Sequence, residues 1–304
     1  MTYRIGVDLG GTKVSVAVLN SRNETVFSDR LPTPASEYGE VIDTVDALVQ
    51  KALAFIDSVE INKIGIGIPG AMHQNAHTVK NANMQCLIGK PLKVDLEKRL
   101  NREFVIANDA TCFTASEAAD GAAKNERVVF GVILGTGAGG GIAFEGKPWA
   151  GLNSLAGEWG HNPFPFYGAP AKNRSCYCGK IDCNEQVISG PALAADYEIA
   201  AGKKISTKDL ERAAKNGDEA AVTVLDEFHE NLAKALSTII NLLDPSAIVV
   251  GGGVSNISSI YQEVPLRWGR YVFNASPDPA VIATKLLRNR WGDDSGVRGA
   301  AWLT

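Results

Sequence analysis

The sequence predicts an α/β protein built from two similar lobes. Three observations predict it. Apolar runs of strand length alternate with helix-favouring stretches along the 304 residues. A glycine–threonine tip between two apolar strands occurs twice, in Val7-Asp8-Leu9-Gly10-Gly11-Thr12 and again in Ile133-Leu134-Gly135-Thr136-Gly137. The apolar run Phe104 to Ala107 ends in Asn108-Asp109, just ahead of a helix-favouring stretch from Ala110 to Ala123. In open α/β sheets, ligands bind at the carboxyl ends of such strands.

Composition narrows the classes. A length of 304 residues suffices for two domains and a large core. A net charge of −4 and the lack of a basic cluster argue against a nucleic-acid surface. No apolar run approaches the ~20 residues of a membrane span. The first strand begins at Arg4 or Ile5, which leaves no room for a signal peptide. The expectation is a soluble, cytoplasmic protein.

In chain order, Arg4 to Gly10 reads as a buried strand, Gly10 to Lys13 as a tight turn and Val14 to Leu19 as the returning strand. Glycines at such a tip let backbone N–H groups approach an anion, and Asp8 beside it is placed to hold Mg²⁺. A plain hairpin turn explains the same residues. Thr25 to Leu31 is the third strand, broken by Pro32-Thr33-Pro34. Ser36 then caps a long helix to about Val59, with Val41, Val45, Leu48, Leu53 and Phe55 facing inward. Lys63 to Ile68 is a strand ended by Pro69-Gly70. The loop Lys80-Asn81-Ala82-Asn83 offers amides that suit sugar hydroxyls, though Asn is also a common turn residue. A short helix covers Val94 to Asn101. Asp109 is then either a general base for a hydroxyl or simply a helix N-cap.

Val128 to Leu134 is the strand that leads into the second tip, Gly135 to Gly141, followed by Ile142-Ala143-Phe144. The matched tips indicate an internal duplication, each lobe offering one phosphate loop to a shared cleft. A Gly-rich irregular stretch from Trp149 carries Glu158, and His161 follows. Cys176, Cys178 and Cys183 fall within eight residues. One His and three Cys match a closed tetrahedral Zn²⁺ site with no open position for water, so the expected metal is structural. Free reduced thiols are the alternative. Glu185, two residues beyond Cys183, would be pinned by that metal. Cys86 and Cys112 read as small core residues.

Ser189-Gly190-Pro191 opens helices, and Asp218 caps a long one that ends at Leu243 before Asp244-Pro245. Ala247 to Val250 is a buried strand. Gly251-Gly252-Gly253 follows and leads to a helix that Asn256 would cap, a pattern that suits a nucleotide or a mere tight turn. Val281 to Leu286 is the last strand, and Gly296 to Leu303 a closing helix.

Together, Asp8 to Lys13, Leu134 to Gly141, Gly157-Glu158-Trp159-Gly160-His161 and Cys176 to Glu185 resemble the ROK family of sugar kinases and repressors, over essentially the whole chain. The resemblance implies the actin-like/hexokinase (ribonuclease H-like) ATPase fold, with a small lobe of residues 1–120 plus 289–304 and a large lobe of 121–288 that carries the zinc loop. It implies ATP with Mg²⁺, a structural Zn²⁺ and a homodimer. It makes Asp109 the catalytic base. Asn83, Asn108, Glu158, His161 and Glu185 would hold sugar hydroxyls, with His161 also a zinc ligand beside Cys176, Cys178 and Cys183. Asp8, Gly11, Thr12 and Lys13 would lie near the γ-phosphate, Thr136 and Gly137 would form the second phosphate loop, and Gly252 and Gly253 would lie near the adenosine. Lys80 to Asn83, Gly157 to Pro163 and Ser295 to Trp302 look closest to bacterial fructokinases and manno(fructo)kinases, so fructose, with mannose, is the expected substrate. N-acetylglucosamine kinase or glucokinase is the alternative.

Two departures stand out. The family usually reads Cys-x-Cys-Gly-x-x-Gly-Cys, and Asp182 here replaces the second glycine, so a strained or altered loop is expected. Trp291-Gly292-Asp293-Asp294 stands where relatives often have His-Gly-Asp. Three rivals compete with a kinase. A sugar-responsive repressor would carry a helix-turn-helix before the first phosphate loop, where Asp8 comes almost at once. A binding module without turnover conflicts with the intact Asp109. Two phosphate loops make a scaffold improbable.

Overall fold

The computed structural model describes residues 2–34, 36–57, 61–73, 75–274, 278 and 281–304. The chain divides into two compact units, Met1–Asn125 with Gly141–Ala156 and Asp293–Thr304, and Glu126–Gly140 with Gly157–Gly292.

In the first unit β1 (Arg4–Leu9), β2 (Lys13–Leu19) and β3 (Thr25–Pro32) form an antiparallel meander. Then come α1 (Tyr38–Ile56), β4 (Lys63–Ile68), a short hairpin of β5 (Ala71–Met72) and β6 (Val79–Lys80), α2 (Leu92–Leu100), β7 (Glu103–Asn108) and α3 (Asp109–Ala119). The sheet order is β3-β2-β1-β4-β7, with β1, β4 and β7 parallel. Their carboxyl ends, Leu9, Ile68 and Asn108, therefore share one edge.

Next are β8 (Val128–Leu134), β9 (Ala138–Phe144) and β10 (Lys147–Pro148), then α4 (Glu185–Ile188), α5 (Gly190–Ala201), α6 (Thr207–Lys215) and α7 (Glu219–Leu243). β11 (Ala247–Gly251), α8 (Ile260–Glu263), α9 (Pro265–Trp268) and β12 (Lys285–Arg288) follow, and α10 (Ser295–Ala301) belongs again to the first unit. The second sheet runs β10-β9-β8-β11-β12, with β8, β11 and β12 parallel. Both sheets thus have the same succession: third strand, second, first, fourth, fifth. The duplication read from the two tips extends to whole-sheet topology.

Strand alternation decides what each face of the first sheet meets. Ile5, Val7 and Leu9 join Val41, Val45, Leu48, Leu92 and Leu96 of α1 and α2 in one buried cluster. Each fully buried aliphatic contributes roughly 1.5–3 kcal/mol. Gly6 and Asp8 point to the other face, where α10 lies. A Cβ on Gly6 would meet the backbone of Val297 and Ala301, and one on Gly65 would fall inside the Ala300 carbonyl. The absence of side chains lets α10 rest directly on β1 and β4. Arg298, 3% exposed, fastens this helix by Nη2 to Asp120 Oδ2 at 2.5 Å and by Nη1 to Thr25 Oγ1 at 2.8 Å. Ser295 Oγ donates to the buried Glu117 at 2.9 Å.

Several expectations are corrected. Phe55 is exposed rather than inward, because β3 offers it the Phe27 ring at 5.2 Å; Ile42, Val49, Ala52 and Ile56 complete the buried stripe. The N-cap of α1 is Glu37, without a side-chain bond, so Ser36 does not cap it. The expected helix end near Val59 lies outside the described residues. Strand β7 is at the sheet edge and its Val105, Ile106 and Ala107 are only half-buried. Asn108, not Asp109, is the N-cap of α3, which stops at Ala119. Asn256 ends a single 3-10 turn, Gly253–Asn256, and caps no helix. The last strand is Lys285–Arg288, further along than expected. Gly141–Ala156, expected in the large lobe, counts with the first unit, and the two units are near-equal in length. A Cβ on Gly141 would lie 2.5 Å from Thr114 Oγ1, so this backbone packs straight onto α3. Among the described residues no helix is long and apolar enough to cross a membrane.

Candidate active site

In the first unit, register sets the site. Asp8 pairs with Gly67, Gly67 with Ala107, and Ile68 with Asn108, so Asp8 and Asn108 stand near the same sheet edge. Asn108 Oδ1 accepts from Ala110 N at 2.9 Å, and its Nδ2 donates to Gly70 O at 3.2 Å. Asp109 opens α3, exposed, with Oδ1 accepting from Ala110 N at 2.8 Å. Pro69 O accepts from Asn83 N at 3.1 Å, so the Pro69-Gly70 turn ties Asn83 to Asn108.

The first tip is closed by Gly10 N to Lys13 O at 3.0 Å. Gly11 and Thr12 are exposed, and a Cβ on Gly11 would meet nothing within 4 Å, which leaves its backbone open to a ligand. Thr33 holds this tip: its Oγ1 donates to Gly10 O at 2.6 Å and its N to Thr12 O at 3.1 Å. The sequence marked Thr33 only as part of a strand break, and nothing local signals the anchoring role.

Asp8 is pushed up to about 6, first by burial and then by the Asp109 carboxylate, with Lys13 pulling the other way. A Cβ on Gly296 would lie 2.9 Å from Asp8 Oδ2, and one on Gly67 3.0 Å from Cys112 Sγ. Burial, and then Asp8 and Asp109, raise the Cys112 thiol well above its usual range, so it stays protonated. Cys112 is buried core, as expected, while Cys86 is half-buried against the core.

In the second unit the tip at Gly135–Gly137 closes through Gly135 N to Gly137 O at 3.0 Å, and Thr136 is exposed. Glu185 Oε2 accepts from Ala138 N at 3.0 Å and occupies the space a Cβ on Gly137 would need. Gly190 N, at the start of α5, donates to Gly135 O at 3.0 Å. Gly252 has φ +78 and a Cβ there would lie 2.5 Å from Leu134 O, so only glycine fits. Gly253 has open space around it.

Glu158 is exposed and precedes the 3-10 turn Trp159–His161. That turn is anchored by Trp159 Nε1 to Gly139 O at 3.0 Å and by the Phe130 ring at 5.8 Å. His161 Nδ1 lies 3.5 Å from Cys176 Sγ, and Cys178 Sγ 3.5 Å from Cys183 Sγ. The four donor atoms all lie within 4.8 Å of one another. A tetrahedral zinc site needs donors about 3.5–3.8 Å apart; two of the pairs stand at 3.5 Å and none lies beyond 4.8 Å, so the donor set suits such an ion. Burial and its bonds to the neighbouring thiols push Cys183 up to about 12; against burial, the Lys180 N–H and the same thiols lower Cys178. Among the second-unit residues, the structure thus brings together His161, the three cysteines and Glu185, whose Oε1 is 3.9 Å from Cys176 Sγ. Tyr177, between two of the cysteines, bonds His161 Nε2 at 2.9 Å, a contact that sequence reasoning missed.

Solved structures share this architecture. A ROK hexokinase from Thermus thermophilus superposes with a TM-score of 0.85 at 26% identity, covering 100% of this chain and 98% of that one. A ROK family glucokinase from Streptomyces griseus, solved with glucose and AMPPNP, superposes with a TM-score of 0.78 at 28% identity, covering 100% and 99%. The protein is an ATPase of the actin-like, hexokinase type. The profile of the ROK family matches residues 4–304, and the N-acetyl-D-glucosamine kinase of Vibrio atlanticus (strain LGP32) is 38% identical over 304 residues, 98% of each chain. The chain belongs to the ROK family, and it is an ATP-dependent sugar kinase that uses ATP and Mg²⁺. Matched relatives at 35–38% identity are named N-acetyl-D-glucosamine kinases, which favours that alternative over the expected fructose.

Proposed function

We propose that this kinase transfers the γ-phosphoryl group of ATP to a hydroxyl of N-acetyl-D-glucosamine. The observation that carries the sugar is the 38% identity, over 98% of the chain, to a relative bearing that name. Asp109 serves as general base: it takes the hydroxyl proton as the oxygen bonds to phosphorus and the bond to the leaving ADP breaks. Its place at the carboxyl end of β7, with one oxygen fixed by Ala110 N–H at 2.8 Å, supports the role. Asn83, Asn108, Glu158, His161 and Glu185 bind sugar hydroxyls. Asp8, Gly11, Thr12 and Lys13 attend the γ-phosphate, Thr136 and Gly137 the phosphate chain, and Gly252 and Gly253 the adenosine. Mg²⁺, when bound, neutralises phosphate charge beside Asp8. His161, Cys176, Cys178 and Cys183 hold a structural Zn²⁺ that fixes the loop leading to Glu185. A homodimer belongs to the same proposal and is read by sedimentation.

A coupled ADP-release assay with ATP, Mg²⁺ and a sugar panel tests the substrate. N-acetylglucosamine is expected to have the highest kcat/KM, above N-acetylmannosamine, glucose, mannose and fructose. Fructose or mannose at the head of the panel would reject the N-acetyl sugar and restore the fructokinase subgroup.

A further inference from the structure

Asp182 stands at φ +53, a left-handed backbone conformation, where the ROK pattern usually has glycine. Asp tolerates this region better than most residues, and here its side chain compensates further. It is 7% exposed; Oδ1 accepts from Arg174 N at 2.8 Å and Oδ2 from Asn173 N at 2.9 Å. Two N–H donors answer the need of a buried carboxylate for partners. The backbone of the same residue donates to Arg174 O at 2.8 Å and accepts from Phe164 N at 2.9 Å. Asp182 therefore joins the strand of chain entering Cys176 to the segment leaving His161. The grip extends outward. Arg174 Nη1 donates to Gln186 O at 3.0 Å, and its Nη2 meets Asp196 of α5 at 2.5 Å. Gln186 follows Glu185, whose carboxylate accepts from Ala138 N–H at 3.0 Å.

We propose that Asp182 is a positioning residue that holds the cysteine loop in metal-binding shape, a role that rests on the zinc assigned to the four-donor cluster. A glycine at 182 keeps the turn and loses both carboxylate bonds. In this chain the loop is fastened twice, by the ion and by a buried carboxylate, and the second fastening slows release of the first. Groups that orient metal ligands typically change metal affinity by about 10–100-fold when removed.

The test is the rate of zinc release from the full-length, zinc-loaded protein to a chromophoric chelator, well below the melting transition. Asp182→Gly is expected to release zinc about tenfold faster or more. Asp182→Asn keeps one acceptor oxygen and should release zinc at a rate between those of Asp182→Gly and wild type. Release from Asp182→Gly at the wild-type rate overturns the role. If Asp182→Gly fails to fold by circular dichroism, Asp182→Asn carries the test, and a wild-type rate there overturns it equally. A wild-type protein that takes up no zinc rejects the metal site and this role together, whatever sugar the enzyme phosphorylates.

Discussion

The Tyr177 hydroxyl lies 2.9 Å from His161 Nε2, with the two rings edge to face at 5.0 Å. In the proposed zinc site Nδ1 faces the ion, which leaves Nε2 to bond that hydroxyl. Burial, then Glu185, Cys176 and Glu158, push the phenol up to about 12, so it is neutral at ordinary pH. Tyr177 thus occupies the nitrogen that the proposed sugar contact requires. Tyr177→Phe is expected to lower sugar KM by about 2- to 10-fold, the range of one net hydrogen bond, with kcat little changed. A raised KM would show that the phenol binds sugar rather than competing with it.

Asp8 links the site to pH. Its carboxyl, raised from 3.8 to about 6, binds a proton more readily in the folded than in the unfolded chain. The stability it contributes is present below about pH 4 and is lost as pH rises towards 6, the opposite of a salt-bridged carboxylate. Because Asp109 is one cause of the rise, Asp109→Asn should bring Asp8 part of the way down, with burial keeping it above 3.8. Carboxyl ¹³C titration of Asp8 in the metal-free protein reads this directly, and an unmoved Asp8 would deny the coupling.

Asp109→Asn should also reduce kcat by at least about 100-fold, the low end of general-base contributions, while sugar binding measured by calorimetry persists. The Asn108 bond to Gly70 O does not involve the substituted group, and Asn108 Oδ1 still accepts from the Ala110 N–H that it shares with Asp109, so the surrounding loop is expected to hold. Near-wild-type turnover would reject Asp109 as the base.

Elemental analysis is expected to find one zinc per chain, and stripping it with a strong chelator should lower Tm. Cys176 and Cys183 are buried, so ion loss removes the tie that joins two buried thiols to His161. An unchanged melting curve in protein shown to contain no metal would count against the site.

Gly65→Ala should destabilise the protein by about 3 kcal/mol or more, at or beyond the upper end of overpacking costs. The new methyl would fall inside the Ala300 carbonyl, which is backbone and cannot rotate away. Denaturant unfolding followed in the same buffer gives the value; a loss below ~1 kcal/mol would show that α10 can lift off β4.

Local chemistry made most of the fold legible. The strands Lys63–Ile68 and Val128–Leu134 follow from unbroken apolar runs, and the caps at Ser189 and Asp218 are where short polar side chains precede helices. The cluster of three cysteines was readable because its spacing is local. What escaped depends on distant partners. Phe55 is outside because Phe27 lies 28 residues away on β3, Thr33 grips a tip that precedes it, and Tyr177 meets a histidine from another segment. The sugar is less legible, since the names of the matched relatives favour the alternative, N-acetylglucosamine, over the expected fructose. Lys80 and Ser295, in segments that looked like those of fructokinases, bond Asn153 O and Glu117, partners that their local sequence does not announce.

The position of α10 on β1 and β4 governs the order in which the protein can assemble during synthesis. The first unit is opened by residue 4 and lacks its covering helix until residues 295–301 emerge, whereas the second has all its strands by Arg288. The half translated later is therefore the first to hold its full complement of elements. The glycine-lined face of the early sheet waits bare until residues 295–301 have been made. Its closure is a contact of very long sequence separation, and slow on that account.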